Sequence, residues 1–236
     1  MFLSAEGVDD TVVEVGATAA TCIGILPTLS DDTVPGDTDL SSSPLKRIID
    51  IIVSLTALIV VAPVLVLIAI AIATTTRGPI LFRQARTGYR GQPFRIIKFR
   101  TMTVIEDGDT IAHACRGDRR VTPVGRFLRA SSLDEVPQLL NILLGDMSLV
   151  GPRPHALAHD RYYGALLDGY GKRFLVKPGL TGLAQVRGLR GEIHDLSCMA
   201  RRLDADVEYI RRWTLLFDIA IIFQTVPKMV RDRSAY

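Results

Sequence analysis

A run of 23 residues without a charged side chain, residues 51–73, limits what this chain can become more than any other feature of its sequence. A helix needs roughly 20 apolar residues to cross the hydrocarbon core of a bilayer. Soluble proteins seldom bury so long an uninterrupted apolar helix, although a buried core helix is the alternative interpretation. The run therefore predicts a helix embedded in a membrane.

The residues on both sides of this run are basic. Lys46 and Arg47 precede it, and Arg77 and Arg83 follow it. Because basic residues mark the cytoplasmic side, one crossing cannot satisfy both ends, whereas a re-entrant hairpin that enters and leaves the same leaflet can. Pro63 lies near the middle of the run, where it removes one backbone hydrogen bond, so it predicts the break of the hairpin. A kinked helix that spans the bilayer is the alternative.

The chain divides into three predicted parts: a tail at residues 1–45, a re-entrant membrane helix at 46–76 and a main domain at 77–236. The tail has eight acidic residues and no Lys or Arg, and its composition favours disorder. The remaining residues combine 28 basic with 17 acidic side chains, a net charge of +11. This charge indicates an anionic partner, which nucleic acid, lipid headgroups or phosphorylated substrates would each satisfy.

After the apolar run the pattern changes to short strands at residues 80–82 and 94–98, separated by a turn that contains glycine. Helices are predicted at 139–144 and 203–213. The apolar segment 214–226 is too short to span a bilayer, so it would lie in the membrane interface or pack in the core.

Two basic motifs suit phosphate recognition. Residues 98–102 read Lys-Phe-Arg-Thr-Met, and such dense positive charge beside a membrane segment suits lipid headgroups or a diphosphate, with a solvated basic face as the alternative. Residues 151–154 read Gly-Pro-Arg-Pro, and the two prolines restrict the backbone around Arg153. A fixed guanidinium favours bidentate phosphate binding, although a rigid loop with a salt-bridged arginine fits the same pattern.

The adjacent acidic residues Asp134 and Glu135 allow two interpretations. Ser132 and Glu135 have the spacing of a helix capping box, and Pro137 suits the first turn of that helix. A carboxylate near a helix N-terminus also stays ionised, and the free amides there attract phosphate. An ionised Asp beside a metal-binding Glu is what a phosphoryl-transfer nucleophile needs, so the structural and the catalytic roles are compatible.

A fourth motif occupies residues 176–188. Pro178 and Gly179 mark a turn, and the small residues after it let the backbone approach a ligand or another element closely. The pattern does not choose between these roles.

The two basic motifs, the acidic pair and the fourth motif, in their order along the chain, resemble the bacterial sugar transferase family, the monotopic phosphoglycosyl transferases, over residues 44–225. The resemblance implies transfer of hexose 1-phosphate from a UDP-sugar to undecaprenyl phosphate, which releases UMP and begins exopolysaccharide synthesis. It implies an α/β fold, monotopic in the membrane, with a re-entrant N-terminal helix, amphipathic interfacial helices and a small sheet. The catalytic domain would face the cytoplasm from the bacterial inner membrane, and a homo-oligomer is compatible with this arrangement.

The resemblance also implies roles for individual residues. Asp134 would be the nucleophile that forms a covalent phosphosugar intermediate, and Glu135 would bind a catalytic Mg²⁺. The residues that would bind phosphate are Lys98, Arg100, Arg129 and Arg153. The chain has alanine before Pro63, where the family usually has serine, so one hydroxyl that could satisfy a freed carbonyl at the bend is absent.

Two other classes of function compete with this interpretation. A membrane-anchored scaffold for polysaccharide assembly would account for the apolar run but has no need of the Asp134–Glu135 pair. A nucleic-acid-binding protein would account for the positive charge, yet the sequence has no recognised binding motif and 23 apolar residues are left unexplained.

Overall fold

The structure is a computed structural model, and it describes residues 43–103, 117–191, 193 and 195–231. Nearly all of the predicted acidic tail, residues 1–42, lies outside the described residues. The described part is a mixture of helices with two small sheets, which agrees with the predicted α/β class.

The membrane segment is a helix of 32 residues, α1, Pro44–Thr75. Ser43 precedes it as the N-cap, its side chain accepting a hydrogen bond from the backbone of Lys46, and Pro44 takes the first helical position, where its missing N–H costs nothing. Within the described residues α1 is the one helix long and apolar enough to cross a membrane, with a mean hydropathy of 3.0. Pro63 lies inside the helix rather than at its end, so the bend at this residue stays a prediction.

The two ends of α1 contact the rest of the protein, while much of its middle is exposed. Near the N-terminus Lys46, Asp50 and Ser54 are buried at one-turn intervals, and near the C-terminus Ile68 and Ile72 are buried. The exposed apolar side chains between these ends include Ile59, Val60 and Leu67. One face of the helix is thus packed against protein, and the other is left to an apolar environment.

The two basic residues before the apolar run have structural partners. Lys46 Nζ pairs with Asp218 Oδ2 at 2.5 Å and donates to the carbonyl of Val150, and all three groups are buried. Arg47 donates to the carbonyls of Ile142 and Leu143 at 2.5 and 2.8 Å. These cations therefore fix α1 to the rest of the protein and are not free flanking charges.

Each of the two sheets has two strands. β1, Leu81–Thr87, pairs antiparallel with β2, Pro93–Phe99, through a turn over Tyr89–Gly91. These are the two predicted strands, each longer than expected. β3, Ser148–Val150, pairs parallel with β4, Gly179–Thr181.

Glycine is required where the loop after β3 meets the segment around β4. A Cβ at Gly179 or Gly182 would overlap the backbone of Gly151, and a Cβ at Gly151 would overlap the backbone of residues 177 and 179. Because glycine has no side chain, the backbone of the loop after β3 can contact the backbone around β4 directly. The small residues of the fourth motif therefore serve the approach of two protein elements.

The remaining helices surround these sheets. Of the two helices predicted in this part, the one at 139–144 is close to expectation. The helix expected to begin at residue 203 begins seven residues earlier, where Asp195 caps it by accepting from the backbone of Cys198. The apolar segment 214–226 lies almost entirely in a further helix. The helices are α2 Pro123–Ser131, α3 Gln138–Leu144, α4 Leu157–Leu166, α5 Leu183–Val186, α6 Leu196–Arg212 and α7 Leu215–Arg231.

The predicted capping box is wrong. Ser132 has a left-handed backbone with φ of 57°, ends α2 and makes no side-chain cap bond, and residues Leu133–Glu135 form a single 3-10 turn. Pro137 lies just before α3 instead of in its first turn. The reason is that the left-handed residue turns the chain by itself, so Asp134 and Glu135 belong to a tight connection between two helices.

Candidate active site

The carboxylate of Glu135 lies between two cations from distant parts of the chain. Lys98 on β2 donates to Glu135 Oε1 at 2.8 Å, and Arg153, which follows β3, donates one nitrogen to Oε2 at 3.1 Å and the other to Oε1. This is the planar, two-pronged contact that arginine makes with a carboxylate. With Asp134 these three residues form what we call the dyad cluster.

The ionisation of the dyad cluster follows from its burial and its charges. Burial raises the pKa of Glu135, but the charges of Arg153 and Lys98 outweigh burial and hold this pKa well below its ordinary value. Burial also lowers the pKa of Lys98, against the opposing effect of Glu135. Glu135 is therefore a stable anion, and its two partners hold it in place.

Asp134 differs from its neighbour. Burial, followed by the adjacent charge of Glu135, raises the pKa of Asp134 to about 6. The described part of the chain donates no hydrogen bond to its carboxylate, although the side chain is buried. The sequence-based expectation that a helix terminus keeps this group ionised is therefore wrong in its cause, because Asp134 lies on a 3-10 turn. What results is a desolvated carboxylate with few fixed contacts, which suits a nucleophile.

Two further arginines act on the dyad cluster. The charge of Arg129, on α2, acts to lower the pKa of Asp134, and one of its buried terminal nitrogens has no hydrogen-bond partner among the described residues. Arg190, in the loop after α5, donates to the hydroxyl of Ser132 at 2.8 Å and its charge helps to lower the pKa of Glu135. Arg129 was predicted from sequence, whereas Arg190 was missed because it belongs to no recognisable motif.

Arg100 has partners elsewhere. It donates to the backbone carbonyls of Thr76 and Arg77 and to the hydroxyl of Thr76, and its side chain is buried. These contacts hold the two residues that follow the C-terminal end of α1. Its predicted contact with phosphate stays a prediction that these hydrogen bonds do not support.

A second buried group of charges lies behind Arg153 in the structure. Arg173 Nε donates to Asp206 Oδ2 at 2.8 Å, one terminal nitrogen donates to Tyr170 Oη and His155 Nδ1 at 2.8 and 2.9 Å, and Tyr170 donates to Asp160 Oδ1 at 2.8 Å. These five residues form what we call the Arg173 cluster. They are scattered along the sequence, and sequence reasoning identified none of them as a group.

The oxygen donors of the dyad cluster are compatible with Mg²⁺. This ion prefers oxygen ligands and is usually held by one or two carboxylates together with phosphate oxygens of the substrate. Glu135 and Asp134 provide two adjacent carboxyl groups, and Glu135 is ionised over a wide pH range. Both oxygens of Glu135 accept from Lys98 and Arg153, so an ion would share this carboxylate with these two cations. The described residues contain no group of three or more acidic, His or Cys side chains that would hold a metal alone. An ion here would therefore need the oxygens of the substrate.

Comparison with known protein families places most of the chain in one family. The profile of the family described as bacterial sugar transferase matches residues 41–232, which include the membrane helix, the dyad cluster and the Arg173 cluster. The chain belongs to this family, and the resemblance predicted from the four motifs is confirmed.

The similar proteins include enzymes with stated substrates. A UDP-glucose:undecaprenyl-phosphate glucose-1-phosphate transferase from Caulobacter vibrioides is 53% identical over 191 residues, covering 81% of this chain and 72% of that protein. A protein of the same name from Klebsiella pneumoniae is 51% identical and covers 81% of this chain, which spans only 41% of that protein. The exopolysaccharide production protein PSS of Rhizobium leguminosarum is 42% identical, and 93% of that protein is covered.

Proposed function

We propose that this protein transfers glucose 1-phosphate from UDP-glucose to undecaprenyl phosphate, releasing UMP and beginning an exopolysaccharide repeat unit. The observation that carries this proposal is the buried, weakly held carboxylate of Asp134 beside an anion, Glu135, that is fixed by two cations. The reaction predicted from the sequence, transfer of a sugar phosphate to the polyprenyl carrier, is also the reaction named for the Caulobacter and Klebsiella relatives.

The first half of the reaction uses Asp134 as nucleophile. A carboxylate oxygen of Asp134 attacks the phosphorus that carries the sugar, the bond from that phosphorus to the bridging oxygen breaks, and UMP leaves with that oxygen. Lys98, Arg129 and Arg153 stabilise the negative charge that develops on the transferring group. Mg²⁺ bound by Glu135 and the diphosphate would add further positive charge at the same place.

The second half regenerates the enzyme. A phosphate oxygen of undecaprenyl phosphate attacks the phosphorus held by Asp134, the bond to the aspartate oxygen breaks, and undecaprenyl diphosphate glucose leaves. The phosphate monoester of the carrier is largely ionised at neutral pH, since its second pKa is about 6, so it needs little help from a base. Covalent catalysis is therefore a better use of Asp134 than proton removal.

The membrane arrangement that we propose is the re-entrant one, with the catalytic domain on the cytoplasmic face. A straight helix of this length would extend about 48 Å, more than the hydrocarbon core. Yet α1 is bound near its N-terminus through Lys46 and Arg47, and at its C-terminus through Arg100. Both ends are thus fixed to one folded unit, which supports entry and exit at the same face.

Exposed apolar side chains outside α1 support an interfacial position for other helices. Phe127 on α2 and Leu144 on α3 are 65% and 71% exposed, and Leu216 and Phe223 on α7 are 78% and 73% exposed. Side chains of this size are costly in water but suit the boundary between headgroups and acyl chains. This position would bring the site to the level where the carrier presents its phosphate.

The covalent mechanism is tested with UDP-glucose in the absence of undecaprenyl phosphate. We expect UMP in an amount no greater than the enzyme present, and a protein mass increased by one hexose phosphate. Asp134→Asn should abolish both signals. Release of UMP only when the lipid is added, with no modified protein, would contradict the covalent step, and a panel of UDP-sugars in the same assay tests glucose as the donor.

The metal and the topology need separate tests. Activity should disappear with EDTA and return with Mg²⁺, because a hard cation is needed to stabilise the negative charge on the diphosphate during transfer. Lys46 is buried against Asp218, so single cysteines are placed at the exposed positions 45 and 90 instead. Both should react with a membrane-impermeant reagent in inverted membrane vesicles and neither should react in intact cells. Pro63→Leu should move the protein toward a spanning helix, and unchanged labelling would show that Pro63 is not what bends it.

A further inference from the structure

Arg153, which pairs with Glu135, is itself held by a hydrogen bond to its backbone. Arg153 presents its guanidinium to Glu135, and its own backbone carbonyl accepts a hydrogen bond from Arg173 at 2.7 Å. The carbonyl carbon is bonded to the Cα from which the side chain projects. A hydrogen bond to this carbonyl therefore restrains the position of the Arg153 side chain. Arg173 lies 20 residues later in the chain, in the 3-10 segment Tyr170–Leu175.

Arg173 has almost no freedom to move. It is 4% exposed, and each nitrogen of its guanidinium has an acceptor in the protein. Asp206 on α6 accepts from Nε and balances the charge, and Tyr170 accepts from a terminal nitrogen. A rigid, planar fork of this kind transmits the position of α6 to the loop that carries Arg153.

The residue after Pro154 takes part in the same arrangement. His155 Nδ1 lies 2.9 Å from Arg173, and because this nitrogen faces a cation it must accept rather than donate. Burial, followed by the charge of Arg173, lowers the pKa of His155 well below its ordinary value, which keeps the imidazole neutral. Arg173 therefore holds the loop at Arg153 and again at His155.

The other end of the loop is held independently. The carbonyl of Val150 accepts hydrogen bonds from Lys46 Nζ at 3.2 Å and from Tyr209 Oη at 3.0 Å. The pairing of β3 with β4 holds the same end. The carbonyls on either side of Arg153 have partners of their own, because that of Pro152 accepts from the backbone of Gly179 and that of Pro154 accepts from Arg86. Loss of the Arg173 contacts would therefore free the carbonyl of Arg153 and leave the rest of the loop attached.

We propose that Arg173 is a positioning residue for the phosphoglycosyl transfer, holding the Arg153 guanidinium on Glu135 through the Arg153 carbonyl. This inference rests on the proposed function, in which Arg153 stabilises the transferring phosphate. A purely structural residue would support the fold and affect every activity in proportion to the amount of folded protein. A positioning residue affects catalysis only as long as the side chain that it positions is present.

The test is a double-mutant cycle on UMP release by the full chain in nanodiscs, with UDP-glucose and undecaprenyl phosphate. Arg173→Lys keeps a positive charge near Asp206 but cannot reach all its acceptors at once, so we expect kcat to fall at least tenfold with KM little changed. In an Arg153→Lys background the same change should lower kcat by less than twofold, since the target of Arg173 is already lost. Equal factors in both backgrounds, at equal folded fraction, would overturn the proposal.

Arg187→Lys is the matched control. Arg187 also makes a two-pronged pair with a carboxylate of α6, that of Glu208, but its side chain is exposed. The hydrogen bonds of its side chain are with Glu208 and not with residues 151–156. Its replacement should leave kcat unchanged. If Arg173→Lys does not fold, Tyr170→Phe replaces it, because this change removes one acceptor of Arg173 and keeps the ring. A loss of kcat that disappears in the Arg153→Lys background supports the proposal. A loss that persists in that background, or no loss at all, refutes it.

Failure of the inference is distinguishable from failure of the proposed function. If neither the unmodified protein nor Arg187→Lys releases UMP, the function itself is wrong. If both release UMP and Arg173→Lys does so equally well, only the positioning role is wrong. Hydrogen exchange of the peptide that contains residues 151–156 gives a reading without activity, and it should become faster in Arg173→Lys but not in Arg187→Lys.

Discussion

The dyad cluster and the Arg173 cluster are both buried groups of opposite charges, but they differ in how completely their charges are paired. In the Arg173 cluster every nitrogen of the arginine has an acceptor, and Asp206 and Tyr170 face it directly. In the dyad cluster Glu135 is paired twice, whereas Asp134 receives no hydrogen bond from the described residues. A buried charge with a hydrogen-bonded partner holds its side chain in one position, whereas a buried carboxylate without such a partner keeps its oxygens free to react with a substrate.

The clusters also share a residue. Arg153 contributes its side chain to the dyad cluster and its carbonyl to the Arg173 cluster. The well-paired group thus supports the reactive one, which is how a precise site is kept in place without lowering the reactivity of its nucleophile.

Asp134→Asn should show the largest difference between the two clusters, because it should lower activity without lowering stability. It removes the nucleophile and replaces a carboxylate by an amide of nearly the same shape, so activity should fall by about 10⁴-fold or more. Stability should not fall, because the change removes a charge whose burial is unfavourable. UMP release and thermal unfolding measure the two effects, and a large drop in unfolding temperature would place Asp134 with the structural charges.

Asp206→Ala should give the opposite result. It removes the carboxylate that accepts from Nε of the buried Arg173 and leaves only Asp160, at 3.7 Å, to balance the charge. Breaking a buried pair in this way costs about 3–5 kcal/mol of unfolding free energy. Glu208→Ala is the control on the same helix, because its ion pairs with Arg187 and Arg212 are exposed and are worth within about 1 kcal/mol. Denaturant unfolding of both variants gives the comparison, and equal losses would mean that burial does not distinguish them.

The pH dependence should separate activity from stability at Asp134. The anion is the nucleophile, and its pKa is about 6, so the covalent step should slow about tenfold for each unit of pH below that value. The pKa of Asp134 in the folded state lies above its ordinary value of 3.8, so this group binds its proton more tightly in the folded state. Its contribution to stability therefore increases as pH falls from 6 towards 3.8. A rate that stays constant through pH 6 would contradict the assignment.

Arg190→Gln should have the smallest effect. It removes the hydrogen bond to Ser132, which precedes the dyad, and one positive charge that acts on Glu135. A single such bond contributes about 1 kcal/mol, which corresponds to about a fivefold loss of kcat. UMP release by this variant, set beside Arg187→Gln as a surface control, tests whether Arg190 belongs to the dyad cluster.

Much of the site could be predicted from sequence because its residues lie in short contiguous motifs. Lys98, Arg153 and the Asp134–Glu135 pair are each marked by their neighbours in the chain, and the structure joins them. Arg100 belongs to an equally clear motif, yet its hydrogen bonds are with the end of α1. A motif shows that a residue matters, but it does not show which partner the residue has.

The sequence by itself determined the long apolar helix, the two strands beside the glycine turn and the family, because apolar length, turn residues and motif order are local properties of the chain. Only the tertiary structure decided that Lys46 is buried against Asp218, that Ser132 turns the chain before the dyad, and that Arg173 supports Arg153. These contacts join residues from separate elements. The raised pKa of Asp134 likewise depends on burial and on the charge of Glu135, against the charges of Lys98 and Arg129 from other elements. Burial and charge proximity arise only when the chain is folded, so no local pattern contains them.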